Sequence, residues 1–176
     1  MTSNNGFWLR MADGIDGLNE RVGKAVSWLT LALVLLVVVD VIIRRIFSDS
    51  QVWITELEWH LFALIFLLGA GYAFRENRHV RVDLFYANFK PKDKALVDIV
   101  GNIVFLLPWC IVVGWYAFFY ALDSYRVGEI SADAGGLPAR YLIKAAIFVS
   151  ILLLFLQSMA QVARAAVVLS DKMPDK

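Results

Sequence analysis

Two histidines, one cysteine and five charged residues set beside long apolar runs are the groups in this 176-residue sequence with chemistry to offer. His60 and His79 lie nineteen residues apart, about 28 Å if both ride on helix. They cannot ligate one iron within a chain, and the sequence holds no third histidine, which argues against a b-type haem. Cys110 is alone, so neither an internal disulfide nor a CxxC redox pair is available. No nucleophile–base–acid constellation, metal-ligand cluster or phosphate loop is evident, so an enzyme and a bound cofactor are not expected, nor is a nucleic-acid partner. What remains is charge. Asp40 stands four residues before Arg44, on one helix face, where the two can pair. Arg45 follows directly, and Glu56 and Glu58 lie across the short stretch Ser48-Asp49-Ser50. Asp40, Arg44, Arg45, Glu56 and Glu58 are thus a candidate ion-pair cluster near one membrane boundary. Snorkelling of the arginines to headgroups is the plainer reading, and a proton or ion pathway is a third.

The elements that must position these groups are four apolar runs: Ala25–Ile43, Trp59–Phe74, Ile99–Leu122 and Ala145–Ala163. A hydrocarbon core about 30 Å thick needs roughly 20 apolar residues of helix. Helices and closed barrels alone can span lipid, since every backbone polar group must be satisfied internally, and runs without strict alternation exclude the barrel. Sixty per cent hydrophobic residues, against about 45–50% in soluble domains, agrees. The expected fold is an all-α integral membrane protein with helices at about 26–47, 53–74, 95–122 and 138–165. Residues 1–24 would form a cytoplasmic amphipathic segment and 166–176 a cytoplasmic tail.

Charge sets the expected orientation. Twelve of the seventeen basic residues fall on one side when both termini are cytoplasmic; the other side receives Arg44, Arg45, Arg126, Arg140 and Lys144. The positive-inside rule then predicts N-in, C-in. The N-terminus lacks the short apolar core of a cleaved signal, so the first helix is expected to be retained. Phe7, Trp8, Met11, Ile15, Leu18 and Val22 recur at helical spacing, which predicts an interfacial helix on the membrane or a partner. Between helices 2 and 3, Val82, Phe85, Tyr86 and Phe89 predict a short surface helix. Around it Arg78, Arg81, Lys90 and Lys92 are candidates, with Trp8, for phospholipid or interface contact. Pro108 removes one backbone bond and should bend helix 3. Asn102 and Asp98 are expected to face protein, and Gln157, Ser158 and Gln161 to bond between helices.

The order Arg44-Arg45-Ile46-Phe47, then Glu56 and Glu58, then Gly69-Ala70-Gly71-Tyr72-Ala73 and Arg78-His79-Val80-Arg81-Val82-Asp83 resembles a known pattern. It is that of the small membrane subunit, DctQ-like, of tripartite ATP-independent periplasmic (TRAP) transporters. The resemblance covers about residues 20–165. Glu129-Ile130-Ser131 and Gly135-Gly136-Leu137-Pro138 resemble a branch associated with keto acids or other organic acids. The resemblance implies a bacterial inner-membrane protein that scaffolds a large, DctM-like permease subunit. That subunit would carry Na⁺ and an organic acid by an elevator movement, and a periplasmic binding protein would deliver the solute. It also implies that Na⁺ coupling resides in the large subunit, that Arg44, Glu56 and Glu58 hold fold or partner contacts, and that Ser50, Gln51, Glu129 and Asp133 help to dock the binding protein. Two other classes stay open: a membrane anchor for a peripheral redox enzyme, and a small proton-coupled transporter acting as a homo-oligomer.

Overall fold

The computed structural model describes residues 3–76 and 89–170. Four helices among them are long and apolar enough to cross a membrane. They are α1 (Ser3–Phe47), α2 (Val52–Arg75), α3 (Pro91–Arg126) and α4 (Tyr141–Ser170). Arg78, Arg81, His79 and most of the expected surface helix between α2 and α3 lie outside the described residues, as does the tail beyond residue 170.

α4 is the hub. It packs against α1, α2 and α3, α1 and α2 also pack on each other, and α3 makes its substantial contacts with α4. The result is a slab with α4 inside it. Its buried residues Ala146, Ser150, Leu153, Gln157 and Ala160 alternate steps of four and three, the seam spacing of close-packed helices. All but Leu153 are small or polar, as expected where lipid offers no hydrophobic drive and helices associate by close approach and hydrogen bonds. Ser150 Oγ donates to the Leu67 carbonyl of α2 at 2.5 Å.

α1 corrects one expectation. Residues 7–24 are helical, but they are not a separate interfacial helix: α1 runs unbroken for 45 residues, about 68 Å at 1.5 Å per residue and roughly twice the hydrocarbon thickness. Its buried face is also not the apolar one. Phe7, Trp8, Met11 and Leu18 are exposed, whereas Ala12, Asn19, Gly23 and Val26 are buried. Tertiary partners on α2 and α4 claim the small, polar side and leave the apolar stripe facing outward. A Cβ on Gly23 would collide with the Tyr72 ring, and one on Gly71 with the Asn19 side chain. The two glycines are what lets α1 and α2 meet.

α3 contains a π-helical stretch, Gly101–Leu106, in which the Leu107 N–H bonds to the Asn102 carbonyl five residues back. Pro108 follows at once; it has no N–H and its ring crowds the carbonyl four residues earlier. A wider turn lengthens the helix by one residue without breaking it. The buried positions record the insertion: Ala95 and Asn102 are seven apart, Asn102 and Cys110 eight, and Cys110, Gly114, Ala117 and Ser124 resume the regular spacing. Trp109 therefore points outward and Cys110 inward.

Gly71→Ala should destabilise the protein by about 1–3 kcal/mol, the usual range for overpacking. Gly69→Ala, with open space around it, should be neutral or stabilising by up to about 1 kcal/mol through helix propensity. Thermal unfolding in one detergent compares them; equal losses would show that the Gly71–Asn19 approach is not tight.

Candidate functional site: an outer latch and an inner polar layer

The polar groups gather at two levels. At the end of the bundle away from Ser3 and Ser170, labelled outer for the expected orientation, Glu56 in the first turns of α2 is buried to 4% exposure. Its carboxylate accepts from Ser131 Oγ, from the Leu137 N–H at 2.5 Å and from Arg140 at 2.8 Å. One acid thus gathers both ends of the 127–140 connection and pins it over α2. Gly136 is required, since a Cβ there would strike Ser131 and approach the Glu56 carboxylate to 2.8 Å. The connection also closes on itself, with Ser131 N–H donating to the Leu137 carbonyl and Arg140 N–H to that of Glu129. Arg140 further sits 5.8 Å over the Trp59 ring. Beside it Lys144 bonds Glu129 and rests 4.0 Å over Tyr120. The hydrogen bond from Lys144 holds the Glu129 carboxyl below the usual carboxylate range.

The inner level joins all four helices. Asn19 Nδ2 donates to Gln157 Oε1 at 2.8 Å, and Gln157 Nε2 donates to Asp16 at 2.7 Å. Arg164 bridges Asp13 at 2.6 Å and Asp16 at 2.5 Å. Across α4, Ser158 donates to Asn102 Oδ1 at 2.6 Å, while Asn102 Nδ2 donates to the Asp98 carbonyl at 2.7 Å and, more weakly, to Gln161. Arg75, at the end of α2, pairs with Glu20 of α1 at 3.1 Å.

The five residues read as one ionic cluster do not assemble. Arg44 pairs with Asp40 on α1, while Glu56 is taken by Arg140 and the 127–140 connection. Asp40 is buried, with no hydrogen-bond partner beyond that ion pair, and Arg44 is half exposed. Arg45 is exposed; Glu58 is half-buried, with one oxygen lacking a hydrogen bond. The four-residue turn between α1 and α2, with Ser48 at φ 51, brings the helix ends together but not these side chains. Arg140, eighty-four residues from Glu56, had no local signal. Of the expected docking residues, Ser50 is exposed and Gln51 bonds Asp49 at 2.5 Å. Glu129 is tied to Lys144, and Asp133 sits exposed on the turn that Ser131 Oγ braces. Trp8 is 48% exposed and meets Phe7 edge-on. Lys90 and Lys92 are exposed at the start of α3. Among the described residues, no group of three His, Cys, Asp or Glu is placed to hold a metal.

Residues 33–167, which hold the outer latch and the α3 and α4 part of the inner layer but not its α1 residues Asp13 to Glu20, match the family described as tripartite ATP-independent periplasmic transporters, DctQ component. The chain belongs to this family. A Haemophilus influenzae protein named as a TRAP transporter small permease is 25% identical over 127 residues, 69% of this chain and 75% of that protein. The sialic acid TRAP transporter permease protein SiaT of Haemophilus influenzae is 26% identical over 144 residues, which is 80% of this chain but 22% of that longer protein. This DctQ-family chain is therefore a multi-pass inner-membrane component of a transporter, a TRAP small permease subunit and not an enzyme.

Two outcomes test the latch. Glu56→Gln should lower the melting temperature more than Glu58→Gln and expose 127–140 to protease; equal effects would remove Glu56 from its central place. The Glu129 carboxyl has a folded pKa depressed below 4.5, so its contribution is present above that pH and is lost as pH falls through the lower folded value. The melting-temperature gap between wild type and Glu129→Gln should be open at pH 7 and close on acidification; a gap independent of pH would dissociate Glu129 from the ion pair.

Proposed function

We propose that this chain is the static membrane partner of a large DctM-like permease subunit in a binding-protein-dependent transporter. The large subunit carries the solute, an organic acid, together with Na⁺, and this chain scaffolds its elevator-type movement. Both termini are cytoplasmic, and the 127–140 connection faces the periplasm, where the binding protein docks.

The supporting observation is where the polar chemistry goes. Asn19, Asn102, Gln157 and Ser158 are buried and bonded to one another or to neighbouring helices, so they tie helices together and do not line an aqueous path. The outward faces are apolar and broad. On α3 they include Phe105, Ile111, Trp115 and Tyr116, each above 60% exposed, and on α1 Trp28, Ile46 and Phe47. A slab of this kind has surface for a second membrane protein and little interior for a solute. The long relative SiaT is named a permease and aligns with this chain over about a fifth of its length, which fits a small subunit working beside much additional protein.

Affinity purification of the tagged chain from native membranes in mild detergent, followed by mass spectrometry, tests the reading. A large polytopic permease at one-to-one stoichiometry is the expected result. Recovery of the chain as a homo-oligomer alone would overturn it.

A further inference from the structure

We propose that the open groove between α3 and α4, on the side of the membrane that holds both chain ends, is where a helix of the large permease subunit docks. On the scaffold reading above, from which this follows, the groove is a face by which the chain holds its partner. It is walled by Ile103 and Leu107 of α3, by Met159, Ala166 and Val167 of α4, and at its end by Trp8 of α1.

Depth decides between lipid and protein. Trp8 lies near the start of α1, and the exposed charges Arg10, Asp13, Arg21 and Lys24 follow it along the helix. A charge in hydrocarbon is costly, so Trp8, about 24 Å of helix before Lys24, stands outside the hydrocarbon. On α4 the partly exposed Arg164, bonded to Asp13, marks the same boundary, and Val167 and Ser170 lie beyond it. Leu107 and Met159, at the other end of the groove, sit within apolar runs that carry no charge. The groove therefore crosses the level of the Arg164–Asp13 ion pair and stays apolar beyond it. Phe7 and Met11, both exposed, extend that apolar surface further. Acyl chains are confined to the hydrocarbon. Apolar surface that continues outside it marks a protein contact, and a helix that crosses the boundary unbroken, as α1 does, covers both parts.

The α4 wall suits such a helix. Ala163, Ala166 and Ser170 recur at steps of three and four, and small residues let another backbone approach closely. From Met159 to Ser170 is eleven residues, about 16 Å, room for three turns of contact. Chain continuity identifies the partner. The four described spans place both ends of the fold on one side, and the groove takes a residue from each terminal helix, Trp8 of α1 and Ser170 of α4. In SiaT the matching stretch is 22% of a longer permease chain. The rest of that chain must join the stretch through its ends, so permease polypeptide enters or leaves on the side where this groove opens. Where the large subunit is a separate polypeptide, the apolar groove supplies the hold that a covalent join would give.

The test uses the full chain in native membranes with its partners. A photo-reactive phenylalanine in place of Trp8 keeps an aromatic ring at the groove's end; after irradiation and purification, mass spectrometry should find it joined to a peptide of the large permease subunit. The same group in place of Val38, exposed on α1 away from the groove, should not be joined to that subunit. Ala166→Phe plants a ring in the groove at an exposed position and should lower the permease recovered about tenfold, equivalent to roughly 1.4 kcal/mol of overpacking. Val38→Phe should leave recovery unchanged. If the wild-type chain recovers no permease, the scaffold reading falls and the docking site with it. If permease is recovered but position 8 is joined to a phospholipid or to a second copy of this chain, the docking site alone is overturned. The same holds if position 38 is joined to the permease and position 8 is not, or if the two phenylalanine variants recover it equally.

Discussion

The hydrogen bond between Asn19 and Gln157, made over the open face of Gly71, is the contact on which the other packing depends. Lipid is as apolar as a leucine side chain, so outward apolar surface does not by itself hold membrane helices together. An amide N–H buried to zero exposure must find a partner inside the protein, and Asn19 Nδ2 finds it on α4, although its Oδ1 has none. The bond is worth only about 0.6 kcal/mol on average for such pairs, but it is directional. It sets the rotation of α1 against α4, and Gly71 admits α2 to the same point. With three helices placed, the far side of α4 presents Ser158 to Asn102 and positions α3.

The outer end is organised differently, by full charge. Glu56 would be costly if left unpaired at its depth of burial, and it is satisfied by a guanidinium, a hydroxyl and a backbone N–H at once. All three come from one connection, so a single acid orders a segment with no regular structure of its own. The inner layer uses neutral amides and hydroxyls at its most buried points and places its ion pairs, Arg164 with Asp13 and Asp16, where they are partly exposed. The two ends therefore answer the same demand, satisfaction of polar groups in a medium without water, with different chemistry.

The slab form has consequences for a transporter subunit. α3 is covered along one side by α4 and presents the rest of its surface outward. The one-residue insertion at the π turn decides which aromatic rings lie on that surface: Trp109 faces out because Cys110 faces in. An assembly partner or a lipid meets a surface whose register is set by the π turn just before Pro108.

The four spans were legible in the sequence because length and apolar composition alone decide whether a helix crosses lipid, and local order in the motifs sufficed to place the chain in its family. That Gln157 and Ser158 bond between helices was also legible, since buried polar side chains in lipid have no other recourse. The partner of Glu56 was not. Nearby Arg44 and Arg45 were the local choice, and the three-dimensional path of residues 127–140 supplied Arg140 instead. Nor did helical periodicity disclose which face of α1 is buried: Phe7, Trp8, Met11 and Leu18 carry the amphipathic signal, yet Ala12, Asn19 and Gly23 make the contact. Composition and length act residue by residue and survive in a linear reading. The side chain that meets another across eighty-four or one hundred and thirty-eight positions is chosen by close approach of backbones, which only the packed helices define.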